Sequence, residues 1–471
     1  KYTVKGFVSM PLISEQREDM NKVSNENLIP VNEWVPEQQE VISAHDNCLD
    51  METKKVFLIA NGCYENQMDS AMLKRYFGES CESFEVTKDT SNADILLVLG
   101  CSVTQHMENE SGDLIKYLEE HKKPDARVFA IGCISKLKPE IQSKDIGEHV
   151  PIQEIEGLLR MNKNVTELSV NTPVKQSSDI SDFLTTRKES VIKDYYFQNN
   201  TGLLGKLKVT ALSPFYNVVN GYKSFIESKI KIHSDNTHCI KVSTGCRGKC
   251  TYCSIKLSRG KVRSKAIDTV VSDLQRGLDQ GFQDFALMGT DLGDYGKDND
   301  SDLLHLLERI VSLDANFQLR LRNINPRWLI PSHQELCNLL ESNKIVYIES
   351  PIQSGNERIL ELMKREYRAS DFLEAISEIR NRSSSVILRS QLIAGFPSET
   401  ESEFKDSVAV VDSGYFDYVD IFRYTKRPHR PSAKMEQEVP FNIIMQRYRK
   451  LLFKSLLNQP VRKMKAIKIL N

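Results

Sequence analysis

Three cysteines lie close together between residues 246 and 253, with the spacing C-x3-C-x2-C. Cys246, Cys250 and Cys253 come directly after an apolar run over residues 238–242, which predicts a strand leading into them. Cysteine thiolates bind iron and zinc. A closed zinc site needs four ligands, and a fully ligated cubane iron-sulfur cluster takes four thiolates. Three thiolates leave one iron open, so the spacing predicts a 4Fe-4S cluster that can bind a further molecule.

A structural zinc loop is the alternative interpretation of these three cysteines. Zinc would need a fourth ligand, and Cys239 or His238 is near enough in the sequence to supply it. On this interpretation the protein is a non-enzymatic metal-binding scaffold. The cysteines that match no motif are expected to be ordinary structural or surface thiols, and these are Cys48, Cys81, Cys239 and Cys337.

A second set of three cysteines follows three short apolar runs, one cysteine after each run. The cysteines are Cys63, Cys101 and Cys133, and the runs cover residues 55–60, 93–99 and 126–131. Helical patterns over residues 66–77 and 107–121 separate the runs, which favours a parallel sheet. Because the carboxyl ends of parallel strands share one edge of a sheet, the three thiols are expected to meet there. The alternative is that each cysteine is packed as a small hydrophobic residue.

Together these segments resemble the radical S-adenosylmethionine (SAM) methylthiotransferases. The resemblance runs from about residue 55 to residue 449 and includes GCYENQMDS at 62–70, GCSVT at 100–104, GC at 132–133 and the C-x3-C-x2-C segment with its aromatic Tyr252. It implies two 4Fe-4S clusters. One, at Cys246, Cys250 and Cys253, would bind and cleave SAM, and an auxiliary cluster at the second cysteine set would handle sulfur.

Four later segments resemble the same family in order and spacing. They are residues 289–298, 351–355, 363–367 and 393–400. By this resemblance Gly289, Asp291 and Gln353 are candidate SAM contacts, together with Tyr252. Their ordinary interpretations are a turn glycine, a helix N-cap and a polar residue at a strand end.

Apolar runs also predict the fold of the second half of the chain. They cover residues 285–288, 317–321, 345–348, 386–393 and 418–422, and helix-like stretches separate them. With the run before Cys246, they make six strand-helix units, which predicts an incomplete parallel (β/α)6 barrel that binds ligands at its strand carboxyl ends. The predicted fold class is therefore α/β, with an N-terminal parallel-sheet domain bearing the auxiliary cluster and then a partial radical SAM barrel.

Shifts in composition predict five segments. They are a polar acidic extension over 1–53, the first cysteine domain over 54–165, a linker or insert over 166–235, the barrel over 236–436 and a basic C-terminal helix over 437–471. Residues 1–50 carry four Lys/Arg against nine Asp/Glu, whereas residues 441–471 carry eight Lys/Arg and no acid. The basic segment is expected either to contact nucleic acid or to pack on the barrel through Leu451, Leu452 and Leu456.

Composition excludes several classes of protein. The 471 residues contain no apolar stretch of about 18 residues, so no membrane-spanning helix is expected. The chain begins without methionine and without the apolar core of a signal peptide, which leaves trimming of either end open. Ten cysteines without a secretory signal favour a reducing cytoplasm over a disulfide framework.

The resemblance also implies a reaction. One SAM would methylate a sulfur at the auxiliary cluster, and a second would yield a 5′-deoxyadenosyl radical that takes hydrogen from an unactivated C–H bond of the substrate. The product would carry a methylthio group. An electron donor such as flavodoxin or ferredoxin is the implied partner.

The substrate is the least determined part of the prediction. Residues 291–298, 325–326, 363–367 and 433–437 resemble the branch that acts on threonylcarbamoyladenosine in tRNA. Against this, the chain ends without the RNA-binding TRAM β-barrel. Its motifs also depart from the family at Glu349-Ser350-Pro351 for His-Leu-Pro, Gln391 for Asp, Ser398 for Gly and His429-Arg430 for Gly-Thr. A tRNA adenosine derivative is expected, and a peptide or small-molecule substrate is the alternative.

Overall fold

Two parallel sheets make up the part of the chain that the structure describes. The structure is a computed structural model, and it describes residues 53–61, 64–79, 84–101, 105–134, 148–149, 237–427 and 430–457. Cys63, almost all of the predicted acidic extension and the predicted linker over 166–235 lie outside these residues. The five predicted domain boundaries therefore stay predictions.

The first sheet has five parallel strands in the order β2-β1-β3-β4-β5. Its strands are β1 (Lys54–Ala60), β2 (Phe84–Thr87), β3 (Ile95–Gly100), β4 (Arg127–Gly132) and β5 (Glu148–His149). Helix α1 (Tyr64–Glu79) follows β1, and helix α2 (Gln105–His121) follows β3. The three predicted strands and both predicted helices are confirmed. The short strands β2 and β5 carry too few apolar residues to be predicted from the pattern.

Burial on both faces explains why the central strands read as continuous apolar runs. All six residues of β3 are buried, as parallel strands between two helical layers must be. On one face, Leu96 and Val98 pack with Leu114 and Leu118 of α2. A 3₁₀ turn at Thr90–Asn92 leads into β3, with Asp89 accepting a hydrogen bond from the Ser91 backbone.

The second sheet has six parallel strands that follow one another in chain order. The strands of this sheet are β6 (Thr237–Lys241), β9 (Asp284–Met288), β10 (Gln318–Leu321), β11 (Ile345–Glu349), β12 (Ile387–Ala394) and β13 (Tyr418–Arg423). Two short strands, β7 (Ser243–Thr244) and β8 (Arg263–Ser264), form a separate antiparallel pair. In the described residues, β6 pairs with β9 alone and β13 with β12 alone. The predicted partial (β/α)6 barrel is confirmed.

Helices cover the outside of this sheet. They are α3 (Ile255–Arg259), α4 (Ile267–Asp279), α5 (Leu303–Val311), α6 (Pro326–Leu329), α7 (His333–Leu340), α8 (Glu357–Leu362), α9 (Ala369–Arg382), α10 (Glu401–Asp412) and α11 (Phe441–Leu457), with 3₁₀ turns at Leu292–Asp294 and Pro431–Lys434. Thr400 and Glu403 form a capping box at the start of α10. Within the described residues, no helix combines the length and apolar character that crossing a membrane requires.

Strand residues alternate between the helical layer and the barrel interior. Ile240, Phe285 and Leu319 pack into the main core beneath the helices. Cys239 and Met288 face the other way, into the interior, where they pack with Met68 of α1. Because α1 belongs to the first sheet's domain, this contact places that domain against the barrel.

The basic helix α11 packs on the barrel. Leu451 and Leu456 are buried, and Leu452 is partly buried. Arg447 is also buried, with its Nη1 2.9 Å from Glu399 Oε2, and Lys454 Nζ lies 2.5 Å from Asp412 Oδ2. The packing expectation for these leucines is confirmed. Two of the basic side chains are engaged by barrel acids, and residues 458–471 lie outside the described part.

Replacing Arg447 should destabilise the protein more at high pH than at low pH. Burial raises the pKa of Glu399 to about 7, so this carboxyl disfavours the folded state progressively as pH rises from its ordinary pKa of 4.5. Without Arg447 the carboxylate would be buried and unpaired. We expect Arg447→Met to lower the free energy of unfolding by about 3 kcal/mol at pH 8.5 and by clearly less at pH 5.5, measured by urea denaturation.

Arg449→Met is the matched control, because Arg449 is exposed on the same helix. Its effect should stay within about 0.5 kcal/mol at both pH values. Equal losses for Arg447→Met at pH 5.5 and 8.5 would contradict the assignment.

Candidate metal centre

The loop that carries Cys246, Cys250 and Cys253 is held by segments that follow two different barrel strands. The Gly245 N–H donates to Thr290 Oγ1 at 3.2 Å, and the Arg247 N–H donates to Asp294 Oδ2 at 2.7 Å, both after β9. The Thr251 N–H donates to the carbonyl of Met363, at the end of α8, at 3.0 Å. The loop is thus held in place by hydrogen bonds from the protein itself.

A glycine between the first two cysteines lets their sulfurs share one side of the loop. A Cβ placed on Gly248 would lie 3.1 Å from Cys246 Sγ and 3.8 Å from Cys250 Sγ. The Gly248 N–H donates to Cys246 Sγ at 3.2 Å, and Arg365 Nη1 lies 3.5 Å from Cys250 Sγ. Two donors therefore already point at sulfur.

All three thiols line one cavity of about 250 Å³ at the carboxyl ends of the barrel strands. Burial raises the pKa of Cys253 to about 11 and raises that of Cys246 further. The uncharged thiol is therefore the stable form at neutral pH, and a bound cation would be needed to ionise it. Among the described residues lining the cavity, Asp291 is the one carboxylate, whereas five are basic: Lys256, Arg365, Arg423, Arg427 and Arg430.

Three of the four candidate SAM contacts line this cavity. Gln353 has a positive φ of 74°, and its buried Oε1 has no hydrogen-bond partner. The Tyr252 ring lies edge-on to Phe396. Gly289 is not among the residues that line the cavity, and a Cβ added to it would come 2.7 Å from Ser243 Oγ. These SAM-binding roles stay predictions.

Asp291 has a structural role as well. Its Oδ1 accepts hydrogen bonds from the Gly293 N–H at 3.1 Å and the Asn325 N–H at 3.2 Å, so it caps the 3₁₀ turn at Leu292–Asp294. Burial, with the nearby charge of Asp294, raises the pKa of Asp291 to about 6. The carboxylate of Asp291 therefore acts as an N-cap, which was the ordinary interpretation of this residue.

The two residues that the sequence offered as a fourth zinc ligand lie elsewhere. Cys239 is fully buried in the barrel interior beside Met68, and His238 packs on the helical side between Phe282 and Phe285. Neither residue lines the cavity of the three thiols. The structure therefore does not bring together the zinc ligands that the sequence allowed.

Two of the auxiliary cysteines lie at neighbouring strand ends. Cys101 and Cys133 directly follow β3 and β4, whose last residues pair in register as Gly100 with Gly132. Both are buried, and the Cys101 N–H donates to Asn61 Oδ1 at 2.8 Å. Asn61 directly follows β1, so the chain leading to Cys63 ends at the same edge. Cys63 lies outside the described residues, and the metal roles of all six cysteines stay predictions.

Sequence analysis missed most of the basic side chains of the cavity. Arg365 donates to the carbonyl of Pro351 at 2.7 Å as well as facing Cys250, and Arg430 donates to the carbonyl of Cys250 at 3.0 Å. Arg427 forms a buried ion pair with Glu108 of α2. Arg430 was noted only as a departure from the family. The basic segment around residues 426–430 was the available signal.

Two other departures from the family contact each other. Gln391 Nε2 donates to Glu349 Oε1 at 2.7 Å, and Glu349 Oε2 accepts from Arg322 Nε at 3.2 Å. Burial opposes ionisation of Glu349, but the charges of Arg322 and Arg389 hold its pKa below the ordinary value. Gln391 lines the cavity, so its amide connects the buried carboxylate of Glu349 to the cavity.

Two protein-family models match the chain. The uncharacterized protein family UPF0004 matches residues 55–151, and the radical SAM superfamily matches residues 240–411. The solved structure of the radical SAM methyltransferase TsrM from Kitasatospora setae superposes with a TM-score of 0.53 over 81% of this chain and 77% of that one. At 12% identity, this likeness concerns the fold alone.

Relatives match over most of the chain. A probable threonylcarbamoyladenosine tRNA methylthiotransferase of Archaeoglobus fulgidus is 26% identical, covering 84% of this chain and 82% of the relative. The corresponding MtaB of Thermotoga maritima is 27% identical, covering 82% and 78%. The ribosomal protein uS12 methylthiotransferase RimO of Syntrophotalea carbinolica is 27% identical, covering 85% and 80%. The chain therefore carries a UPF0004 domain followed by a radical SAM domain, and relatives named as tRNA or ribosomal-protein methylthiotransferases match it at 26–27% identity over most of its length.

Proposed function

We propose that this protein inserts a methylthio group at an unactivated C–H bond of an adenosine derivative in tRNA. The proposal rests on one observation. Cys246, Cys250, Cys253 and the unpartnered amide oxygen of Gln353 all line the same cavity. It lies at the carboxyl ends of a parallel barrel, where ligands bind in such folds.

The residues present fit the cofactors of the family, SAM and two 4Fe-4S clusters. Three thiols around one glycine match a cluster with an open iron, and the basic lining suits the net negative charge of a thiolate-bound cluster and the carboxylate of SAM. We assign this cluster to Cys246, Cys250 and Cys253. The auxiliary cluster belongs at Cys63, Cys101 and Cys133, and the SAM contacts are Tyr252, Gly289, Asp291 and Gln353.

When bound, these groups supply one-electron cleavage of SAM and a transferable sulfur. The chain's own residues set the conditions for that chemistry. The Gly248 N–H and Arg365 donate to cysteine sulfur, and such hydrogen bonds tune cluster potential. Tyr252 lines the cavity, and its ring lies edge-on to the buried ring of Phe396, so the apolar packing on this side excludes water from reactive species.

The relatives support two substrate classes. Those from Archaeoglobus fulgidus and Thermotoga maritima are named for tRNA, and the basic cavity with half-exposed Phe422 suits a nucleic acid. A protein substrate is the second candidate, because the relative from Syntrophotalea carbinolica is named for ribosomal protein uS12 and is equally similar. A flavodoxin or ferredoxin remains the proposed electron donor.

Iron content tests the two-cluster assignment. Anaerobically reconstituted protein should bind about eight irons per chain, because two cubane clusters each have three thiolate anchors. A variant with Cys246, Cys250 and Cys253 replaced by Ala should keep about half of that iron and form no 5′-deoxyadenosine from SAM. A variant with Cys63, Cys101 and Cys133 replaced should still form 5′-deoxyadenosine but no methylthio product. A parent protein with about four irons, or with zinc, would contradict the assignment.

Gly245→Ala tests whether the loop geometry holds the SAM-cleaving cluster. Gly245 has a φ of 84°, and a Cβ there would overlap the backbone of Lys261. The variant should lose about half of its iron and all SAM cleavage while keeping the auxiliary cluster. Gly112→Ala is the control, because nothing lies within 4 Å of its added Cβ. Full iron and normal SAM cleavage in Gly245→Ala would show that the loop tolerates another backbone path.

A competition assay separates the substrate classes. Reconstituted enzyme is offered unmodified tRNA and ribosomal protein uS12 together, and both are digested for mass spectrometry. We expect a methylthiolated nucleoside, with tRNA binding that weakens steeply as salt rises because bound cations are released. A methylthiolated uS12 peptide with unmodified tRNA would favour the second candidate.

A further inference from the structure

Helix α1 begins one residue after Cys63 and contacts the loop of the other cysteine set. Asp69 follows Glu65 by four residues and Asn66 by three, and both spacings place the side chains next to each other along α1. Glu65 Oε1 accepts from Thr290 Oγ1 at 2.7 Å, and Thr290 Oγ1 in turn accepts from the Gly245 N–H, directly before Cys246. This helix therefore reaches from one cysteine set toward the other.

Asn66 uses its whole amide in this contact. Its Nδ2 donates to the carbonyls of Asn61 and Leu99, both at 3.2 Å, at the ends of β1 and β3. Its Oδ1 accepts from Arg259 Nη2 at 2.5 Å, and the residue is fully buried. A single side chain thus joins two strand ends of the auxiliary edge to a guanidinium of the barrel domain.

Arg259 belongs to the short helix that starts two residues after Cys253. Its side chain is fully buried, its Nη1 pairs with Asp69, and its Nε lies 3.7 Å from Glu65 Oε1. Asp69 also pairs with Lys241, the last residue of the strand that leads to Cys246. Burial opposes ionisation of Asp69, but the charges of Arg259 and Lys241 hold its pKa below the ordinary value.

The buried ion pairs of Asp69 restrict how α1 lies against the barrel more than they stabilise the folded protein. Buried ion pairs often contribute little net stability, because desolvation offsets their attraction. A shift of α1 by one residue, however, would leave two buried cations without their acid, which is strongly unfavourable. The ion cluster therefore permits one placement of α1 against the cysteine loop.

We propose that Asn66 and Arg259 are positioning residues that set the auxiliary cysteine edge at a fixed distance and orientation from the loop of Cys246, Cys250 and Cys253. This rests on the proposed function, in which a radical formed at one site must reach sulfur held at the other. A misplacement of about 1 Å can cost about 100-fold in such a step. Cluster loading and SAM cleavage depend on each cysteine set separately, so they do not need this contact.

The test compares Asn66→Leu and Arg259→Lys with the parent, all reconstituted with iron and sulfide. Arg259→Lys keeps the charge beside Asp69 but lacks the second arm that reaches Asn66. We expect both variants to keep iron content and the rate of 5′-deoxyadenosine formation within about twofold, and to lose at least about tenfold in methylthio product per 5′-deoxyadenosine. The double variant should lose no more than the worse single one, because both act through one contact.

A second readout does not use turnover. In the reduced parent, the magnetic interaction between the two clusters should give one sharp dipolar splitting by electron paramagnetic resonance, and in Arg259→Lys a broadened or shifted one. Asn109→Leu is the control, because Asn109 is exposed on α2 and should leave every readout unchanged.

An unchanged product ratio and splitting in folded Arg259→Lys would overturn the proposal, whether or not Asn66→Leu folds. Loss of iron in step with loss of product would also overturn it, since the residues would then serve cluster loading. A parent that makes no methylthio product would contradict the proposed function, while the splitting would still test the positioning role.

Discussion

The buried carboxylate of Asp69 is the interaction on which the relation between the two domains depends. It pairs with Lys241 and Arg259, which lie on the strand that enters the three-cysteine loop and on the helix that leaves it. A buried charge without a partner is far more costly than a paired one is stabilising. Because Asp69 lies on α1, which packs on the sheet that carries Cys101 and Cys133, pairing it also places this auxiliary cysteine edge against the barrel.

Polar groups lie beside Cys239 and Met288 on the inner side of the barrel, where many proteins place branched apolar side chains. Arg389 makes a bidentate pair with Asp420 at 2.6 and 2.8 Å, and Glu349 lies between Arg322 and Gln391. Fully paired networks of this kind hold their members rigidly in a low dielectric. Substitutions at Glu349 and Gln391 therefore have to be read as a coupled pair, since each supplies the hydrogen-bond partner of the other.

The thiol cavity is more basic than the protein as a whole. The protein is nearly neutral, with 63 Lys/Arg against 64 Asp/Glu, but the described lining of the thiol cavity has five basic residues and one acid. Several of these cations have fixed partners, such as Glu108 for Arg427 and the Cys250 carbonyl for Arg430. The electrostatic potential in the cavity therefore favours an anionic cluster and anionic ligands. The net charge of the whole chain, which is close to zero, does not indicate this preference.

The sequence by itself determined the main strands and helices and predicted which cysteines would bind metal. Runs of apolar residues, continuous or alternating, predicted the strands β1, β3, β4, β6 and β9–β13. The sequence shows these runs directly because they are made of residues that are neighbours in the chain. The two cysteine spacings predicted which thiols act together for the same reason. Strand β2 and strand β5 were too short to leave such a pattern.

Contacts between residues distant in the chain were decided only by the tertiary structure. Asp69 and Arg259 are 190 residues apart, Glu108 and Arg427 are 319 residues apart, and no periodicity links either pair. Arg447 was predicted as part of a basic surface, yet it is buried against Glu399, because a helix face is chosen by what packs on it. Sequence could state which residues carry chemistry, and the fold decided which charges surround them, because electrostatic partners are set by distance in space.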